Sequence, residues 1–453
     1  SVKCAGQRAG GISARPEWET PYAGHFDFAA IDDPVVRDWL SRPKLLARIA
    51  PVFETNFQRT AWTFELPRGT RVELALDRGW IVANGQRQAI SEIEIELLAG
   101  EAMQLFVMAQ TLAQRIPLAP APQSKADRGY RLFQQIPVAP TKATPIPLAA
   151  SAAPADAFRA IALACLDHLQ QNHLGALACD SADPEYIHQM RISTRRLRAA
   201  LRLFRPQLPD GLAAALLPPL SELMAVLGPA RDLDVLLAEI AAPVLTALPD
   251  EPRLAALVGI ITERRFVARQ EAMRFMRSPR YGGIVLQALA ILHAQPETVK
   301  VGAGGTAIMG SDTIAIIAPL IEFAQNRLRR LRKKVLALAG ETRVDNPSSL
   351  HALRIDIKRL RYALEFFTPL ASPKALRRML LHLTRLQDAL GQINDLASAG
   401  ELLMSCADAD PRLREAVTLI GGWHGPRHHK LLKAVPAGLK QLGRLRLPKL
   451  TAA

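Results

Sequence analysis

Cysteines, aromatic residues and long apolar runs are all scarce in this chain of 453 residues. Its four cysteines, Cys4, Cys165, Cys179 and Cys406, are scattered without C-x-x-C spacing. That argues against a disulfide framework or zinc site and for buried thiols in a reducing compartment. Aromatic residues make up only 5% of the sequence, few for the stacking platforms that hold single-stranded nucleic acids. No apolar run reaches the ~18 residues of a membrane-spanning helix, Ile314–Ile321 being too short, and no signal peptide is evident. The expectation is a cytoplasmic protein with no membrane partner.

Charge and apolar content, by contrast, are plentiful. Hydrophobic residues are 49% of the chain, enough for two or three folded domains. The formal net charge is +15, which points to a polyanionic partner. The excess is uneven: residues 1–150 carry +2 and the remainder +13.

One stretch, Tyr186-Ile-His-Gln-Met-Arg-Ile-Ser-Thr-Arg-Arg-Leu-Arg198, occurs twice. Its second copy is Leu350-His-Ala-Leu-Arg-Ile-Asp-Ile-Lys-Arg-Leu-Arg-Tyr362. His188, Arg191, Arg195, Arg196 and Arg198 lie 163 positions before His351, Arg354, Lys358, Arg359 and Arg361. At about 100° per residue, positions i, i+3, i+7 and i+10 of a helix share one narrow face. A second pair, Leu227-Gly-Pro-Ala-Arg-Asp-Leu-Asp234 and Leu390-Gly-Gln-Ile-Asn-Asp-Leu396, keeps the same offset. A period this long indicates duplicated helical bundles. Like charges on one helix face repel, so an anion is expected there. Arginine offers the planar fork suited to phosphate, and the histidines would strengthen such contacts when protonated. Asp232 and Asp395 are expected to orient the arginines. Further basic runs at Arg264-Arg265, Arg274–Arg280, Arg327–Lys334 and Arg377-Arg378 favour a large anionic ligand.

The paired motifs resemble the CHAD domain, the conserved histidine α-helical domain, over about residues 155–445. The resemblance implies two pseudo-symmetric four-helix bundles, about 155–300 and 311–445, with basic helices lining a groove or pore. It also implies binding of inorganic polyphosphate by His188, Arg191, Arg195, Arg196, Arg198, His351, Arg354, Lys358, Arg359 and Arg361. The second copy departs in having Lys358 for arginine and Asp356 inside the motif.

Residues 1–100 carry a different period. Gln58–Leu66, Val72–Asp77 and Glu92–Leu97 alternate, with turn chemistry at Pro67–Thr70 and Asn84-Gly85, which reads as an antiparallel meander. Ile31–Ala50 and Glu101–Arg115 read as helices, and the Pro/Ala-rich stretch 134–154 as a semi-rigid linker. Glu92, Glu94 and Glu96 share one strand face, Glu73 and Asp77 another. Such carboxylates are either solvated or gathered around a divalent cation.

Phe53–Arg59, Val72–Gly79, Ser91–Leu97 and Ser124–Tyr130 resemble a CYTH domain, the triphosphate tunnel metalloenzyme fold, here over 1–133. The resemblance implies an inorganic triphosphatase. Lys3, Arg15, Arg59, Lys125 and Arg128 would take phosphate, and Glu73, Asp77, Glu94 and Glu96 would hold Mg²⁺ or Mn²⁺. The family's E-x-E-x-K strand does not occur; the chain opens where about the third strand should be, as a truncated or degenerate tunnel would.

The expected fold is therefore α+β, a partial antiparallel tunnel followed by an all-α domain. The expected function is polyphosphate binding, with triphosphate hydrolysis if the tunnel is complete. The alternatives are a non-enzymatic polyphosphate-binding or granule-associated protein and a nucleic-acid-binding helical protein, against which the missing aromatics weigh.

Overall fold

The computed structural model describes residues 2–4, 6–9, 11–22, 24–178, 183–294, 306–308, 314–316, 319–408 and 410–451. The chain divides into two compact units, Ser1–Ala139 with Val285–His293, and Pro140–Ile284 with Ala294–Ala453.

The first unit begins with two antiparallel ribbons: β1 (Val2–Lys3) pairs with β4 (Glu17–Trp18), and β2 (Gln7–Ala9) with β3 (Ile12–Ala14). The single helix expected over Ile31–Ala50 is two short ones, α1 (Pro34–Leu40) and α2 (Pro43–Leu46). Each has a proline at its start, and Pro43 lacks the N–H that would continue α1. A meander of β5 (Glu54–Leu66), β6 (Thr70–Ala83) and β7 (Gln86–Ala99) follows. Its strands are longer than their alternating cores, and β6 turns into β7 at Asn84 and Gly85, with φ of 50° and 74°. That pair of positive φ values is the type I′ hairpin geometry. Among the described residues β5 and β7 are the sheet edges, so the sheet is open.

The register puts Arg59 opposite Asp77 and Asp77 opposite Glu92. Ala75 faces Glu94, and Glu73 faces both Thr63 and Glu96. One sheet face thus carries Glu73, Asp77, Glu92, Glu94 and Glu96. Two helices complete this part, α3 (Met103–Ala113) and α4 (Lys125–Phe133). A Ser124–Asp127 capping box starts α4, satisfying two end N–H groups reciprocally. Gly129 lets α4 approach, since a Cβ there would lie 2.4 Å from the Phe53 ring.

The second unit is helical: α5 (Pro154–Leu177), α6 (Glu185–Phe204), α7 (Leu212–Val235), α8 (Ala242–Ala247) and α9 (Pro252–Met276). The helix α10 (Pro279–His293) is divided between the units. A small ribbon, β8 (Thr306–Ile308) with β9 (Ile314–Ile316), precedes α11 (Leu320–Glu341), α12 (Pro347–Phe366), α13 (Pro373–Ala407) and α14 (Leu413–Arg444). The Gly-rich stretch 302–310 otherwise lies outside the described residues. Helices α5–α6–α7–α9 pack in succession, as do α11–α12–α13–α14, giving two four-helix bundles. The basic helices α6 and α12 are both 20 residues long and touch each other. Phe204 at the end of α6 locks the bundles together: its ring lies 5.9 Å from Phe158, 5.0 Å from Phe323 and 5.9 Å from Phe367. Burying an aromatic side chain of this kind contributes roughly 2–3 kcal/mol.

Its prolines do not break α7, which runs through Pro218, Pro219 and Pro229. Leu216, Leu220, Leu223 and Leu227 are buried along it, and their packing outweighs lost backbone bonds at ~3 kcal/mol per interior proline. A π-helical turn follows at Leu236–Ala241. The helical stretch Leu212–Ala247 is also long and apolar enough to cross a membrane by length and composition. It nevertheless carries Glu222, Arg231, Asp232 and Asp234, and its leucines face the bundle. Cys165 and Cys406 are buried free thiols and Cys4 is half-buried; Cys179 lies outside the described residues.

Gly175 sets the α5–α6 distance, because a Cβ there would stand 2.1 Å from Tyr186 Cε1. Gly175→Ala should therefore destabilise the protein by about 1–3 kcal/mol through overpacking, read as a lower midpoint in urea unfolding.

Candidate functional site

In the helical unit, both copies of the His–Arg motif open onto one cavity of about 750 Å³. His188, Arg191, Arg195 and Arg196 enter from α6, Arg354, Lys358 and Arg361 from α12, and Arg231 from α7. Helical periodicity aims each set, and the α6–α12 contact brings the sets together. Arg191 Nη2 lies 3.5 Å from Asp232, and Nη1 donates to the Met224 carbonyl at 3.3 Å. In the second copy Arg354 Nη2 lies 4.0 Å from Asp395. The repeated glycines stand beside these arginines: a Cβ at Gly228 would meet Arg191 Nη1 at 3.1 Å, and one at Gly391 would meet Arg354 Nε at 3.9 Å. The Gly…Asp element thus gives each arginine room and an acid to lean on.

Arg195 and Lys358 have no ion-pair partner among the described residues. Burial, reinforced by Arg354, Arg195 and Arg361, pushes the Lys358 ammonium down to about 7. Burial and then Arg231 push His188 down to about 4, so it is neutral at physiological pH without an anion. Its place in a desolvated cluster of cations is the cause, and an adjacent anion would favour the protonated form.

The copies are not equivalent. Arg231 beside His188 corresponds to Asn394, whose Oδ1 lies 2.7 Å from Nδ1 of the exposed His351. Arg198, His351 and Arg359 lie outside the cavity lining. Asp356, buried, draws Arg359 aside at 2.7 Å and binds Lys334 at 2.9 Å. Glu365 joins the bundles, accepting from Arg196 Nη1 at 2.9 Å and from Arg361 Nη1. Arg361 Nε also donates to Gln387 at 2.7 Å. Several of the other basic residues serve the fold itself: Arg265 pairs with Asp234, Arg280 with Glu222, and Arg332 donates to the Gly443 and Leu445 carbonyls.

In the first unit, ligand oxygens of Asp77, Glu92 and Glu94 lie within 4.8 Å of one another. Lys125 Nζ sits among them, at 2.7 Å from Asp77, 2.6 Å from Glu92 and 2.7 Å from Glu94. Arg59 Nη2 reaches Asp77 at 2.8 Å and Glu94 at 2.6 Å, and Arg128 pairs with Glu92. Three acids are matched by three cations. The Phe57 ring backs the group, 5.1 Å from Lys125 Nζ and 5.7 Å from Arg59 Cζ. Burial raises the carboxyl of Asp77, but its bonds to Arg59 and Lys125 outweigh this and hold it below the ordinary range. Glu73 and Glu96 lie on the neighbouring rung. Glu96 is pushed up by burial and then by Glu94, with Glu73 and Glu17 adding. Lys3 and Arg15 do not join the cluster; both lie near Glu17, at 2.5 Å and 3.9 Å.

The CHAD domain family matches residues 160–404, more than half of the chain. This chain belongs to the CHAD domain family. The CHAD domain of the plant Ricinus communis, a solved structure, is 33% identical, with a TM-score of 0.55 over 69% of this chain and 99% of that one. PptA from Streptomyces chartreusis is more distant, at 16% identity and a TM-score of 0.46 over 66% of this chain and 100% of that one. Residues 2–130 match the CYTH domain family. Over 133 residues the chain is 32% identical to an inorganic triphosphatase of Haemophilus influenzae, covering 29% of this chain and 37% of that protein. The chain thus spans little more than a third of the curated relative it matches.

In the CHAD domain, sequence reasoning missed Arg231, Glu365, Gln387 and Lys142 as cavity residues. Arg231 lay within the quoted Gly…Asp element, and Glu365 breaks the repeat by standing where the first copy has Arg202. In the CYTH domain it missed Glu92 as the third member of the acid cluster. Cross-strand register, which decides this, depends on pairing that no single strand encodes.

Proposed function

We propose that this chain binds inorganic polyphosphate in the CHAD cavity and that its CYTH domain hydrolyses inorganic triphosphate to diphosphate and phosphate. The observation that carries the first part is the cavity itself, where cations of both repeats converge and Arg195 and Lys358 go unneutralised. Burying unpaired charge is costly unless an anion completes the site. A chain of phosphates, carrying charge without bases, suits arginine forks with no aromatic platform. His188, Arg191, Arg195, Arg196, Arg354, Lys358 and Arg361 would contact it inside the cavity. Arg198, His351 and Arg359 would act only along its approaches. The buried free thiols fit a reducing, cytoplasmic setting, where association with polyphosphate granules would follow from the same affinity.

In the CYTH domain the converging carboxylates fit a divalent cation, since an ammonium already rests among them. Asp77, Glu92 and Glu94 would hold Mg²⁺ or Mn²⁺, with Glu73 and Glu96 on the next rung. The ion would supply neutralisation of charge developing on the phosphoryl oxygens. Arg59, Lys125 and Arg128 would turn from the acids to the phosphates and fix the triphosphate in line. Water adds to the terminal phosphorus as the bridging P–O bond breaks, and diphosphate leaves. Lys3 and Arg15 would serve only an extended substrate reaching Glu17.

Arg191→Ala combined with Arg354→Ala should weaken binding of long-chain polyphosphate at least tenfold, the scale of two charge-assisted contacts, with the circular dichroism unchanged. Duplex DNA at equal phosphate concentration should not displace polyphosphate from the wild type; displacement would favour the nucleic-acid alternative.

The pH dependence follows from Lys358, whose folded value lies far below that of a free lysine. An anion favours the charged form and raises that value, so binding takes up a proton above pH 7. The Lys358 contribution to affinity should be flat below about pH 7 and fall as pH rises from 7 towards 9. Lys358→Met should flatten that fall in titrations across the range.

Lys125→Met should bind Mn²⁺ about tenfold more tightly, having lost the competing ammonium, yet release phosphate from tripolyphosphate more slowly than the wild type. Faster release would remove Lys125 from the phosphate-binding set.

A further inference from the structure

The second unit opens with a strap, residues 140–146, that lies against the cavity before α5 begins. Lys142, Ala143, Thr144 and Pro145 line the cavity. The strap is pinned at both ends. At one end the Thr141 N–H donates to Asn172 Oδ1 at 2.9 Å, and Asn172 Nδ2 donates back to the Thr141 carbonyl at 3.0 Å. This is the pairing of a β-ladder rung, made by one side chain. Asn172 is fully buried, and its remaining amide hydrogen goes to the His168 carbonyl at 2.8 Å. His168 Nε2 lies 2.9 Å from the Thr141 carbonyl and 3.1 Å from Gln189 Oε1. Both partners are acceptors, so Nε2 carries the proton and donates to each. At the other end Ile146 is buried and Pro145 fixes its own φ.

A surface linker would not need a buried asparagine whose three hydrogen-bonding groups are all spent on one turn of backbone and its neighbour. We infer that residues 140–146 are a built part of the anion site, in which Asn172 and His168 clamp the strap so that Lys142 supplies a further cation at the cavity rim. The inference rests on the polyphosphate reading and deepens it. Lys142 would be a binding residue, and Asn172 and His168 positioning residues. Gln189, next to His188 on α6 and itself lining the cavity, ties the clamp to the wall. The ammonium of Lys142 is exposed, as a rim group meeting a passing phosphate chain should be. A compact ammonium on a flexible stem serves a moving polymer where the buried arginine forks serve a fixed one.

The test is a double-mutant cycle on the full chain with long-chain inorganic polyphosphate as the probe. Lys142→Ala should weaken binding about two- to fivefold, the range of an exposed charge pair, and lower the slope of log affinity against log salt by about one. Asn172→Ala leaves the cavity charge unchanged, yet should weaken binding at least as much, with a retained circular dichroism spectrum. Adding Lys142→Ala to Asn172→Ala should then cost nothing more. Fully additive losses, or unchanged affinity in Asn172→Ala, would overturn the inference. Because Asn172 is buried, wild-type hydrogen exchange gives a second arm: amides of 140–146 should gain protection when polyphosphate is added, and no gain overturns the strap's role. If Lys142→Ala and Asn172→Ala bind like the wild type while Arg191→Ala does not, the strap fails and the cavity reading stands. A wild type that does not bind polyphosphate removes both.

Discussion

Like-charge repulsion is the constraint around which the CHAD domain is built. Two helices that would repel if brought face to face are held in contact by everything around them. Phe204 and its ring partners supply the apolar contact. Glu365 places one carboxylate between Arg196 and Arg361 at the seam. Gly228 with Asp232, and Gly391 with Asp395, seat Arg191 and Arg354. These devices leave Arg195 and Lys358 unneutralised, and burial beside Arg354, Arg195 and Arg361 pushes the Lys358 ammonium down. On the proposed reading, an anion would relieve that stress.

The CYTH domain applies the opposite arrangement to similar side chains. Asp77, Glu92 and Glu94 are matched by Arg59, Lys125 and Arg128, so the cluster is neutral by itself. Neither a cation nor a phosphate can enter without parting an existing pair, while a cation and a phosphate entering together give both sets new partners. On the proposed reading, the CHAD cavity would take a ligand of one sign and the CYTH cluster a metal and an anion together.

The duplication shows that equivalent sequence positions need not have equivalent roles. His188 is half-buried beside Arg231, whereas His351 is exposed and bonded to Asn394. Arg196 reaches the cavity, whereas Asp356 turns Arg359 away from it. In each case the change is one residue on a neighbouring turn or helix, and it redirects a side chain the motif alone would treat as fixed.

The sequence by itself determined the α+β division, the meander and its Asn84-Gly85 turn, the duplication at a constant offset, and the faces carrying His188 to Arg198 and His351 to Arg361. Period, turn chemistry and helical geometry are local, so they are written along the chain. Tertiary structure decided which of those cations share a cavity, which acids each one meets, that α7 continues through three prolines, and that residues 140–146 are pinned against the site. Glu365 lies 169 positions from Arg196 and Asp77 lies 18 from Arg59. Partners so far apart are chosen by packing and strand register, and the energies that choose them belong to the folded assembly of helices and strands.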